Sequence, residues 1–135
     1  MKPFLSIAFA AFLMVAGISH FLYPGVYIVL IPPYLPYPEI LNVLAGSSEI
    51  ILGAALLIPS LRRIASIATI LLFIVFIPVH IYFIQEGSCI DNSLCVPKWI
   101  GWLRLVLIHP VLIILVYYIG LASPKKHLNV FTWNK

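Results

Sequence analysis

Charge is what this chain has least of: 9% of its 135 residues are Asp, Glu, Lys or Arg, against about 25% in an ordinary soluble domain. With 63% hydrophobic residues and a mean hydropathy of +1.12, that scarcity excludes a water-soluble globular domain and leaves a bilayer protein of one small domain. Cysteine is nearly absent, with two residues and no C-x-x-C pair; two thiols alone make a poor metal site, and a redox pair more often shows the shorter spacing. No metal, haem or flavin motif stands out, and no low-complexity tract or strong repeat. The net charge of +4 does not point to nucleic acid, because the basic residues are shared among separate short segments and read as topology determinants.

What is present is four long apolar stretches. Their expected spans are residues 3–22, 40–58, 64–84 and 99–122, each long enough at about 1.5 Å per residue to cross a hydrocarbon core of about 30 Å. The first is read as a span and not a cleaved signal, since it carries one positive charge at its start and no clear A-x-A-like site follows. Pro59-Ser60 ends the second and Ser123-Pro124 the fourth, while Pro78 and Pro110 fall inside the third and fourth and each removes a backbone donor. Lys2, Arg62, Arg63, Lys125, Lys126 and Lys135 then lie on one side, and Lys98 with Glu39, Glu86 and Asp91 on the other. The positive-inside rule gives an all-α membrane protein, a four-transmembrane-helix bundle with both termini inside. Small residues facing outward would suit a homo-oligomer, and the basic tail from Lys125 to Lys135 suits anionic lipid or a soluble partner.

The first outer connection, Tyr23 to Pro38, holds five prolines and four tyrosines and no charge. Proline forbids a continuous helix and tyrosine favours the headgroup level, so a broken interfacial segment is expected, either an aromatic belt or a lid over a cavity. The second carries Cys89 and Cys95, which the topology exposes to an oxidising side; a structural disulfide is expected ahead of a redox-active pair or free thiols.

Five ionisable groups lie within or at the edge of spans: His20, Glu49, His80, Arg104 and His109. A charge at a span centre costs roughly 2.5–3.5 kcal/mol on insertion scales, so such groups face inward and pair. On the second span Asn42, Gly46, Glu49 and Gly53 recur at helical spacing and form a small, polar face; Ala10, Leu13, Ala16 or Gly17 and His20 form a matching strip on the first. These faces are expected to meet. Glu49 then has Arg104 as its expected partner, either as a fold-specifying ion pair or as part of a ligand or proton site. Arg104 and His109 are five residues apart, about 140° around an α-helix, so they are not expected to point at one spot; His109, just before Pro110, is expected to bond a backbone carbonyl freed there. His20 and His80 near the same ends of spans one and three hint at two similar hairpins. His, Arg and a buried carboxylic acid beneath a Tyr/Pro cap suit the polar head of a lipophilic molecule: the first two hydrogen-bond a carbonyl oxygen and the acid exchanges a proton. A quinone fits, as would a lipid head or a partner's helix.

The order and spacing of Gly17-x-x-His20-Phe21, Pro24 and Tyr27, Pro36 and Pro38, Gly46-x-x-Glu49-x-x-x-Gly53, Pro78-x-His80 and Arg104-Leu105-x-Leu107 resemble the DoxX-like family of small four-helix membrane proteins. Where that family's pattern follows Arg-Leu with Pro-Leu-Gln, this chain has Val106 and Ile108. The resemblance implies a membrane subunit or accessory of quinone-linked redox metabolism in the bacterial inner membrane, with a quinone as ligand, a soluble redox partner and no catalysis by the chain alone. Under it Glu49 exchanges protons, His20, Glu49, His80 and Arg104 hold the ligand, and Cys89–Cys95 is a staple. Animal relatives of the family act as membrane chaperones, which gives the alternative of an assembly factor that binds a client protein's helix; proton-coupled transport of a small solute is the remaining expectation.

Overall fold

The computed structural model describes residues 2–90 and 94–122; Asp91 and the basic tail with Lys125, Lys126 and Lys135 lie outside them. The described residues form α1 (Lys2–Leu22), α2 (Pro24–Ile28), α3 (Pro38–Leu57), α4 (Arg62–Gln85), α5 (Lys98–Leu103), a π-helical segment (Arg104–Ile108) and α6 (His109–Gly120). The last three run on as one helix, Lys98–Gly120, and four helices in all are long and apolar enough to cross a membrane. Their ends fall within two residues of the apolar stretches read from the sequence.

The distribution of polarity is that of a membrane-embedded protein. Large apolar side chains such as Phe4, Val15, Ile64, Val75 and Ile114 are exposed, whereas Ser6, Asn42, Glu49, Ser66, Thr69 and His109 are buried. A soluble protein arranges these the other way about.

α1 packs chiefly on α3, α4 on α6 and α3, and α1 touches α6. The face expected on the second span is the buried one: Asn42, Gly46, Glu49, Gly53 and Leu56. It meets the expected strip of α1. A β-carbon on Gly46 would stand 2.7 Å from His20 Cβ and 2.8 Å from the Gly17 carbonyl oxygen, and one on Gly53 would stand 2.9 Å from the Ala10 oxygen. Only glycine permits that approach of two backbones. Phe9, Ala10, Leu13, Leu56, Ala65, Phe73, Val116 and Ile119 make one apolar core, concentrated in the half of the assembly that holds the α3–α4 connection.

At that end the Leu56 carbonyl, one of the last in α3 and without an intrahelical donor, accepts from Ser6 Oγ at 3.2 Å and from Arg62 Nε at 3.0 Å. At the other end Tyr23 to Tyr37 forms α2 and a series of turns, with its own Leu30 and Pro32 buried. Cys89 and Cys95 are joined in a disulfide, flanked by the backbone bonds Ile90 N–H to Leu94 and Val96 N–H to Ser88.

Candidate functional site

A cavity of about 640 Å³ occupies the half of the assembly opposite the core. Such a volume suits a small ligand. The lining is mainly aliphatic and aromatic, and His20, Glu49, His80, Arg104 and His109 all contribute to it. Tyr27, Leu30, Ile31 and Leu35 line it too, so the Pro/Tyr-rich segment covers the cavity, as a lid does and a simple aromatic belt does not.

The polar groups on α1 and α3 are bonded to one another. His20 Nδ1 lies 2.7 Å from Asn42 Oδ1, and Asn42 Nδ2 donates to the His20 carbonyl oxygen at 3.0 Å. The other ring nitrogen, Nε2, lies 3.6 Å from Glu49 Oε2. Tyr27 stacks on the His20 ring, centroids 3.8 Å apart and planes 25° from parallel, and its hydroxyl is hydrogen-bonded to Ser19 Oγ. Glu49 is buried, and its Oε2 has no hydrogen-bond partner among the described residues.

Glu49 therefore meets His20 and not Arg104. Arg104 is within electrostatic reach of Glu49 and Tyr27, but no hydrogen bond or ion pair joins it to another described residue. Asn42 holds His20 against α3, and the imidazole stands beside the carboxylate.

The expectation for Arg104 and His109 is also corrected. The 140° separation assumes α-helical rise and turn, but here the His109 N–H bonds the Arg104 carbonyl, five residues back. That i→i+5 bond is the mark of a π-turn, which is wider than an α-turn and leaves residue i+5 less far around the helix from residue i. Pro110 supplies a cause: it has no N–H for the Val106 carbonyl, and its ring crowds that oxygen in regular α geometry. The widened turn brings both side chains to the same cavity.

His109 Nε2–H donates to the Phe73 carbonyl at 2.7 Å, so it does bond a backbone carbonyl, although one on α4 and not on its own helix. Its ring meets His80 edge to face, centroids 4.9 Å apart, and Phe73 at 5.4 Å. Sequence reasoning placed Asn42 on the polar face of α3 without giving it a role, and left Tyr27 as one tyrosine among several. Asn42 was within reach: it lies seven residues before Glu49, two turns along the same face.

Among the described residues the cavity thus offers a buried carboxyl oxygen without a donor, with an imidazole 3.6 Å away, and a guanidinium without an acceptor in a lining that also holds His80 and His109. That combination can bind an oxygen atom and exchange a proton with it. No curated protein and no solved structure matches the chain. One family model, described as a domain of unknown function (DUF8561), matches residues 9–119, a span that takes in every cavity-lining residue from Phe12 to Leu112, and the chain belongs to that family.

Proposed function

We propose that this protein is a membrane subunit or accessory of quinone-linked redox metabolism whose intramembrane cavity holds the polar head of a lipophilic carbonyl compound, a quinone in the first instance. Its four helices cross the bacterial inner membrane as a bundle with both termini inside and the disulfide loop outside, in accord with the positive-inside rule. Arg104 and His80 hold the ligand's oxygen, His20 and Glu49 exchange a proton with it, and the apolar lining takes the ring and the first part of the tail. Electrons come from a soluble redox partner.

One observation carries this reading. Five ionisable side chains from all four of the long helices, dispersed over ninety residues of sequence, line a single mainly apolar cavity. Buried ionisable groups are costly in a membrane protein, and structural ones normally satisfy each other. Here Glu49 Oε2 lacks a hydrogen bond and Arg104 has no hydrogen bond or ion pair among the described residues, so the groups that a ligand needs are those left over by the fold.

Native mass spectrometry of the protein gently extracted from its host tests the proposal, with Glu49→Gln and Arg104→Ala alongside. The expected result is an adduct of quinone mass on the wild type that both variants lose while remaining folded. A stoichiometric protein partner with no small adduct overturns it in favour of an assembly factor.

A further inference from the structure

The Asn42 amide is used twice on one residue. Nδ2 donates to the His20 carbonyl oxygen at 3.0 Å, and Oδ1 lies 2.7 Å from His20 Nδ1. A backbone carbonyl only accepts, so the NH₂ end must face it; that turns Oδ1, also only an acceptor, toward the ring. The ring nitrogen it meets has to carry a hydrogen. We infer that Asn42 is a positioning residue that holds His20 as its Nδ1–H tautomer and leaves Nε2, the nitrogen facing Glu49, as the atom through which this site exchanges its proton.

The inference reaches the carboxylate. A neutral imidazole has one N–H, so with Nδ1 protonated Nε2 presents a lone pair to Glu49 Oε2, 3.6 Å away. Two lone pairs face to face repel. A single proton between them gives attraction, as O–H···N or as N–H···O, and a short approach completes the bond that Oε2 lacks. His20 and Glu49 are then a one-proton pair, neutral in either form, and the proton can change owner without placing a net charge in the cavity.

The ring has little freedom to do otherwise. Asn42 grips its edge, and Tyr27 covers a face and is itself bonded to Ser19. From the opposite wall Arg104 is the charged group that acts on Glu49, and His80 and His109 stand together beyond it. His109 has the reverse arrangement: its Nε2–H is committed to the Phe73 carbonyl. Two histidines in one cavity are thereby held by different nitrogens.

How the proton is used rests on the ligand reading above, but the tautomer does not, and its test needs no ligand. The full chain, ¹⁵N-labelled at histidine and placed in lipid nanodiscs, is read by NMR with His20 assigned by His20→Gln. The wild type is expected to show a protonated Nδ1 at His20. Asn42→Leu should move that hydrogen to Nε2, a shift of tens of ppm at both nitrogens, and leave His109 unmoved, which also reports that the variant is folded. Asn42→Asp keeps an acceptor for Nδ1 and should keep the wild-type tautomer; it decides the matter should Asn42→Leu fail to fold. An Nε2–H tautomer in the wild type, or one indifferent to Asn42→Leu, overturns the inference. Loss of the quinone adduct with this tautomer intact would defeat the ligand reading alone.

Discussion

The hairpin of α1 and α3 and the hairpin of α4 with α5–α6 each carry a histidine near the end of the first helix, and they solve the problem of burying it in opposite ways. In the first hairpin both helices are regular and meet through glycine, Gly17 against Gly46 and Gly53 against Ala10. The polar groups fall where side-chain periodicity puts them, and they bond to each other. In the second hairpin each long helix contains a proline, Pro78 and Pro110, and the second helix widens to a π-turn. There His80 meets the ring of His109, which in turn bonds a backbone carbonyl, and Arg104 has no hydrogen bond or ion pair among the described residues. Regular helices with small residues give a fixed wall; interrupted helices give a wall whose groups remain available.

Substitutions can break or sharpen this contrast. The largest effect is expected in the fixed wall. Gly46→Leu puts a side chain where even a β-carbon meets His20 and the Gly17 backbone, and overpacking of that kind should cost about 3 kcal/mol. Equilibrium unfolding in an SDS titration measures it, with Gly25→Ala as the reference, since nothing lies within 4 Å of that position and its midpoint should not move. Similar midpoints for the two variants would remove the basis for calling the first hairpin rigid.

Next comes the connection of the second hairpin. Replacing Cys89 and Cys95 together by serine frees the loop they close and should cost about 2 kcal/mol through loop entropy, read in the same titration, with the bound lipophile retained. Should the ligand's redox turnover vanish while the midpoint stays put, the pair is reactive and not a staple. The smallest effect belongs to His109→Phe, which fills similar space but gives up the bond to the Phe73 carbonyl. The expected cost is about 1 kcal/mol, because that oxygen keeps its place in the α4 ladder. A cost above that of Gly46→Leu would invert the comparison and make the second hairpin the more tightly specified.

Much of the first hairpin was legible in the sequence. Asn42, Gly46, Glu49 and Gly53 recur at helical spacing, and a regular helix turns spacing into direction. The second hairpin was legible only in its extent. Arg104 and His109 were assigned to different sides because a 100° step per residue was applied across a segment that does not take it; Pro110 marked the irregularity, but nothing local says that the chain absorbs it by an i→i+5 bond and not by a bend. Glu49 was matched with Arg104 as the nearest group of opposite charge within the spans. Its actual neighbour depends on a pair of hydrogen bonds from Asn42 across a helix crossing, a tertiary fact that composition and period do not carry. Tyr27 was legible as an interfacial tyrosine, and its stacking on His20 depends on where the turns after α2 set the lid.

The Leu56 carbonyl, shared by Ser6 of α1, Arg62 of α4 and its own helix α3, has a mechanical meaning. Three helices are riveted at one oxygen atom, far from the hollow end, and from there each acts as a lever. Glu49 is seven residues along α3 from that rivet, about 10 Å of arm at the α-helical rise. A tilt of about 5° swings its carboxylate by about 1 Å, which is the difference between a 3.6 Å approach to His20 and a closed hydrogen bond. The His20–Glu49 contact is thus geared to the angle between helices, and a ligand that entered the cavity and spread them would set that gear.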